Sequence, residues 1–389
     1  MWYNSHMQSH HRKIIYLAGF LFSLPIALMA YINSTFISSF VGENMMGLTY
    51  AAASLGSVFG ILAAPHALKR LGAHKFLVLL IGLDALSILS FVLLQNTFFI
   101  ILAFILGLSL NTMIVFTFDE LLKILSKNSG MGKIRGIYLA IGSFAWVLSQ
   151  IIMTWIGDLP LRAIYLVAFS LMTMLLILSL ASLKGITDPK YDNIRSFRYV
   201  KVFFRNKNLV RAYKMNLLLQ TFFAVMVIYT PIYLSAHLGF SWKEIGQIFA
   251  VMLLPFVILP FNVGRYEDKI GEKKMLMFGF CVASIATFFI FFITKTEVWA
   301  WALILFLTRV GASIVEISSD TYFFKHIQPE NEEWVGVYRS APGVGYILGP
   351  LFALVAFMFI PTFKFIFPLL GALMLYGIYL ASTIKKGDI

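Results

Sequence analysis

Apolar runs of about 20 residues, the length a helix needs to cross the hydrocarbon core of a bilayer, recur along the whole chain with short polar segments between them. The pattern predicts twelve membrane helices, at residues 14–39, 46–68, 76–95, 98–122, 136–157, 162–183, 212–236, 244–263, 275–294, 298–323, 338–360 and 363–383. An even number of crossings puts both termini on one side. The fold class expected is an all-α polytopic membrane protein.

One polar interruption is longer than the rest, at about 185–211, and contains the Asp188–Pro189 break. It divides the chain into a first six-helix bundle (1–184), a linker (185–211) and a second six-helix bundle (212–389). Within the linker, Phe197, Val200, Val202, Phe203 and Phe204 alternate with arginine and lysine, the composition of a short amphipathic helix lying on a membrane surface.

Lysine and arginine set the orientation. Taking loops alternately, one set holds only Arg162, Lys243, Lys295 and Lys364, and apart from Arg309 every other basic residue falls on the opposite set. The positive-inside rule then places both termini in the cytoplasm, with a prokaryotic inner membrane as the expected location. Composition agrees: 60% of residues are hydrophobic, 13% are charged and the mean hydropathy is +0.84, against roughly half and a quarter in soluble domains. The net charge of +13 is explained by the inner face and its anionic lipid headgroups, and no nucleic-acid-binding pattern accompanies it. Cys281 is the one cysteine, so no intramolecular disulfide or cysteine-based metal cluster can form. His6, His10 and His11 lie in a polar terminus and are assigned no metal.

The two halves carry weak internal similarity. Aligning Gly72 with Gly271 sets Arg70 on Lys269 and Lys75 on Lys274, and a nearby offset sets Arg135 of GKIRG on Arg339 of GVYRS. Repeats of this kind are typical of transporters built from two halves. In the second half the segment Gly264–Lys274, GRYEDKIGEKK, carries Gly264, Asp268, Lys269, Gly271, Lys273 and Lys274 in the order of GxxxDRxGRR, with lysine allowed for arginine and Glu272 standing between Gly271 and the two final lysines. It resembles the short cytoplasmic loop signature of the major facilitator superfamily.

The resemblance implies two pseudo-symmetric six-helix bundles rocking about a midplane site, a small-molecule substrate, and a proton or substrate gradient as the driving force. In that pattern Gly264 allows close helix approach, Gly271 the tight turn, and Asp268 a latch. Pseudo-symmetry directs Asp268 towards Arg135 and Lys69 towards the region of Arg339, so the inner gate is expected from these residues together with Asp119. The first-half loop departs from the pattern, with Pro65 for the first glycine, Lys69 for the acid, and Ala73 and His74 for two basic positions. Gly345 and Gly349–Pro350 resemble a signature of drug and metabolite antiporters. The fifth span, where that signature is usual, has Gly142 and then Ser149–Gln150 instead.

Ionisable residues inside a span are costly and so mark function. The tenth span is the richest, with Arg309, Glu316 and Asp320. At about 100° per residue, Glu316 and Asp320 fall within about 20° on either side of Arg309, and Ser313 shares the sector. This stripe is expected to face a water-filled cavity, with Arg309 near the middle of the bilayer for an anionic or hydrogen-bond-accepting group. Glu316 and Asp320, one turn apart, read either as the proton-coupling site or as a static ion-pair network. Asp84 in the third span reads as a proton-handling acid or as a buried acid bonded to a neighbouring helix. In the fourth span Asp119 and Lys123 are spaced to pair, and Asn111 is the deeper candidate for ligand contact. Tyr31, Asn33, Gln220, Tyr229 and Tyr233, from the first and seventh spans, complete the candidate substrate site.

No GxxxxGK[ST], HExxH or GxSxG motif occurs, which argues against ATP drive and against a membrane enzyme. The expectation is a monomeric secondary transporter without cofactor or metal, coupled to protons, with export of drug-like or metabolite substrates favoured. An uptake symporter of a small polar or anionic solute and a transport-inactive sensor or scaffold of the same fold are the alternatives.

Overall fold

The computed structural model describes residues 2–126, 131–183, 196–294, 297–327 and 333–384. They form fifteen α-helices: α1 (Trp2–Val41), α2 (Glu43–Leu71), α3 (Ala73–Leu93), α4 (Thr97–Ser126), α5 (Met131–Ile156), α6 (Leu161–Ser182), α7 (Ser196–Phe203), α8 (Lys207–Ile232), α9 (Trp242–Leu253), α10 (Pro255–Ile270), α11 (Glu272–Phe289), α12 (Val298–Lys325), α13 (Glu333–Tyr338), α14 (Ala341–Phe357) and α15 (Ile366–Ser382). Twelve helical segments are long and apolar enough to cross a membrane, and each overlaps one of the runs read from the sequence.

The elements start and stop for local reasons. Asn206 caps α8 by accepting from the backbone N–H groups of Asn208 and Leu209 at 2.9 and 3.3 Å, and Ser241 and Glu244 form a reciprocal capping box on α9. The eighth crossing is two helices, because Pro255 begins α10 immediately after α9 and proline at the first position of a helix has no N–H to lose. The signature segment is mostly helix rather than loop. α10 continues through Ile270, and Gly271 alone, at φ 82° and ψ 154°, turns the chain into α11. Gly72 makes the same turn between α2 and α3 at φ 77° and ψ 157°, a conformation essentially confined to glycine.

The chain divides into two compact units, residues 1–42 with 52–193, and residues 43–51 with 194–389. The internal packing of each follows one scheme. In the first, α3 packs on α4 and α6 while α1 packs on α5 and α6; in the second, α11 packs on α12 and α15 while α8 packs on α14 and α15. The similarity between Gly72 and Gly271 is thus part of a repeated helical arrangement. The linker helix α7 is docked through Phe203, which is fully buried against Tyr213 and Phe323, leaving Val202 and Phe204 exposed. The remainder of the linker, at 184–195, and the acids Glu332 and Glu333, as side chains, lie outside the described residues.

Candidate functional site

The polar face of α12 is the core of the site. Arg309 is 2% exposed, and its guanidinium carbon lies 5.5 Å from the ring centres of both Phe222 and Phe223 on α8. Two aromatic faces around a buried guanidinium stabilise its charge where water is excluded. Ser313, one turn on, is also buried, and its hydroxyl has no hydrogen-bond partner among the described residues. The upper half of the stripe is therefore enclosed, which corrects the expectation of a solvated cavity wall along its whole length.

Further along, Glu316 and Asp320 are half-buried and differ in their surroundings. Asp320 accepts a hydrogen bond from the Tyr338 hydroxyl at 2.9 Å, and Tyr338 stacks on Phe323 at 4.0 Å between ring centres. No hydrogen bond or ion pair among the described residues engages the Glu316 carboxylate.

On α8, Gln220 donates to Asn216 at 3.2 Å. Its stem faces Gly345 of α14, where an added Cβ would lie 2.6 Å from the Gln220 Cβ. Gly349 has the same role, since a Cβ there would lie 2.8 Å from that of Ala224. The Gly345 and Gly349–Pro350 pattern is therefore spent on close packing of α14 against α8. Tyr229 and Tyr233 lie two and more turns beyond Gln220, in an aromatic cluster with Phe357, Phe363, Phe367 and Trp301.

In the first unit, Tyr165 donates to Asn33 at 2.7 Å, and Tyr31 makes an edge contact with Trp146 at 6.2 Å. The Asn111 side-chain oxygen is buried without a partner. Asp84 is 1% exposed with its Oδ2 likewise unpartnered, and neighbouring Ser87 donates to the Ala103 carbonyl at 2.7 Å instead. The bond from Asp84 to a neighbouring helix is thus not made through Oδ2. The carboxyl lies against Gly107, where an added Cβ would come 3.7 Å from Oδ1.

Within the first unit, Arg135 donates to both oxygens of Asp119 at 3.3 and 3.4 Å, and Lys123 bonds to Glu120 at 2.7 Å. The pairing expected between Asp119 and Lys123 is replaced by these two. Asp268, Lys269, Lys274 and Arg339 are exposed. Gly264 has no neighbour within 4 Å of the position its Cβ would take, so it mediates no close helix contact. Lys273 donates to the Ser382 and Ile384 carbonyls at 2.6 and 2.7 Å, closing the end of α15.

Three residues make contacts that the sequence does not announce. His74 reaches the Ser179 carbonyl at the end of α6 at 3.0 Å. Arg211 binds Asn208, Tyr322, and both the hydroxyl and carbonyl of Thr383 at 2.8–3.1 Å, fastening α8 to the ends of α12 and α15. Glu267, beside the signature's acid, turns inward and accepts from Ser318 at 2.9 Å. Its signal was the four-residue spacing from Val263, which puts both on the buried face of α10.

Comparison with known proteins follows the same lines. The sequence profile described as Major Facilitator Superfamily matches residues 15–350 and 221–385. A search of curated proteins finds no match to the sequence. Among solved structures, a mutant form of the nucleoside transporter NupG superposes with a TM-score of 0.80 at 12% identity, over 96% of this chain and 100% of that one. A structure concerned with substrate recognition in proton dependent oligopeptide transporters gives 0.74 at 15% identity, over 96% and 98%. A POT family transporter in complex with a thioalcohol-conjugated peptide gives 0.76 at 10% identity, over 95% of each chain. At these identities the likeness is one of fold.

Proposed function

The chain belongs to the Major Facilitator Superfamily, and from that premise we propose that it moves a small molecule across the membrane by alternating access coupled to protons, with Glu316 as the coupled acid. The protein is an integral membrane transporter and not an enzyme. The observation that carries the coupling is the contrast on α12: Asp320 has a fixed donor in Tyr338, whereas Glu316, half-buried and without a donor, has a carboxyl free to exchange a proton as access changes. Arg309, seven residues earlier on the same face, supplies the positive charge that an anionic or hydrogen-bond-accepting substrate group requires.

The Gly72 turn and the Gly271 turn are each assigned to the inner face by the lysine and arginine beside them. Asp119, Arg135, Asp268 and Arg339 are then gate residues on that side. Asn111 and Ser313, each with a buried and unpartnered polar oxygen, are the positions where a ligand would satisfy what the protein leaves open, and Asp84 is a second candidate proton carrier. Export is the favoured direction on the glycine pattern of α14 alone. That pattern also packs helices, so an uptake symporter is the competing reading.

The test begins with a thermal-shift screen of polar metabolites and drug-like compounds on the purified protein, because a ligand that binds the folded state stabilises it. Hits are then assayed in sealed vesicles with an internal pH indicator. Proton movement should accompany substrate flux, and Glu316→Gln should abolish uphill transport while downhill exchange persists. Flux without proton movement, or uphill transport of unchanged pH dependence in Glu316→Gln, refutes the assignment.

A further inference from the structure

The packing of α10 on α12 keeps one register over two turns. Val263 meets Ile314 in an apolar cluster with Met275, and one turn further Glu267 meets Ser318. Glu267 is 3% exposed. One carboxylate oxygen accepts from the Ser318 hydroxyl, and the other, Oε1, is buried without a hydrogen-bond partner. Thr321, the next polar neighbour, spends its hydroxyl on the Ile317 carbonyl at 3.0 Å. A carboxylate with one donor and an orphaned oxygen is poorly solvated where it sits.

The charges around it offset this only in part. On α11, Glu272 is buried and adds a second negative charge; on α12, Lys325 is paired with Glu272. Lys273 is turned to the carbonyls at the end of α15, and His326 makes a contact with the Tyr322 carbonyl at 2.6 Å. Arg265, Asp268 and Lys269 of α10 itself are exposed. The Lys325 ammonium thus pairs with Glu272 and acts on Glu267 only through space.

We propose that Glu267 is a proton-binding site at the basic end of the second unit, and that its protonation holds the corner between α10 and α11 against α12. The site exists independently of whether Glu316 carries the coupled proton. Burial raises the Glu267 carboxyl above its ordinary range and the Glu272 charge adds to it, with the Ser318 and Thr321 hydroxyls and the Lys325 charge acting in the opposite direction. A carboxyl whose docked value is raised binds a proton more tightly when docked than when released. Docking is therefore strongest below the ordinary carboxylate range and weakens as pH rises through the raised value. The charge appearing on Glu267 would loosen the corner on which the inner gate is built.

The experiment uses the full-length protein with Cys281→Ser and a reporter, Val263→Cys, at a buried position one turn from Glu267. Maleimide labelling is measured from the ordinary carboxylate range upward and normalised at each pH to the unfolded protein, which removes the titration of the thiol itself. Protection should fall several-fold as pH rises, and Glu267→Gln should hold it at its low-pH level throughout. Ser318→Ala, which removes the hydroxyl that donates to the carboxylate at 2.9 Å, should move the transition to higher pH, and this variant keeps the test open if the glutamine variant folds poorly. Glu316→Gln, which tests transport coupling, should leave the transition where it is. A transition that survives Glu267→Gln, that is missing from the parent, or that moves with Glu316→Gln instead overturns the proposal.

Discussion

His74 in the first unit does the work of Lys273 in the second. Each stands two residues after a glycine of positive φ, and each reaches a carbonyl at the end of the last long helix of its own unit: Ser179 for His74, Ser382 and Ile384 for Lys273. The substitution of histidine for a basic signature position therefore keeps the cap, because the last carbonyls of a helix need donors and an imidazole N–H is one. Lys273→Ala should cost about 1 kcal/mol, a charge-assisted contribution reduced by solvent access, and lower the Tm by a few degrees. His74→Ala, which removes a single bond, should cost less. His74→Lys should retain the parent Tm, and hydrogen exchange at the end of α6 reads the effect locally.

The two turn glycines make a backbone prediction separate from any side chain. Gly271 is open on all sides within 4 Å of a Cβ, so an alanine there meets no clash and only the backbone resists. At φ 82° and ψ 154° that resistance is about 1–3 kcal/mol. Gly72→Ala should cost a similar amount, and the pair of effects, measured as Tm on purified protein, should add because the two turns are in different units.

Gly264 and Gly345 should exchange the importance their patterns suggest. Gly264 heads the signature but has nothing beside it, so Gly264→Ala inside α10 should be neutral or gain up to about 1 kcal/mol from helix propensity. A Cβ added at Gly345 would lie under 3 Å from the Gln220 stem and the Thr221 backbone, so Gly345→Ala must separate α14 from α8 and should cost about 1–3 kcal/mol. Equal Tm values for the two variants would contradict this reading of the packing.

The contrast shows what was legible in the chain. Membrane length, the twelve crossings and the equivalence of Gly72 with Gly271 follow from period and spacing, which the bilayer enforces. Which acid of an adjacent pair faces inward does not follow from a motif. Asp268 carries the signature, yet α10 runs on as helix past it, and helical phase puts Glu267 on the buried face instead. Likewise the α12 stripe was legible as a face. Its division into an enclosed Arg309, a bonded Asp320 and an unbonded Glu316 depends on Phe222, Phe223 and Tyr338, residues distant in sequence whose approach no local pattern encodes.

Arg309 separates structural from functional roles most sharply. Its guanidinium lies against Phe222 and Phe223, so Arg309→Ala would open a cavity between α8 and α12, destabilise by a few kcal/mol, and confound any loss of flux. Arg309→Met fills similar volume without charge, and in a spanning helix that trade removes the cost of keeping an ion out of water. The Met variant should insert with a Tm at or above the parent and lose substrate-dependent stabilisation and flux. Arg309→Lys keeps the charge but not the planar guanidinium beside the two rings; ligand affinity should fall about tenfold, equivalent to ~1.4 kcal/mol, with partial flux. Wild-type flux in a well-folded Arg309→Met protein would make the arginine a packing element and remove it from the substrate site.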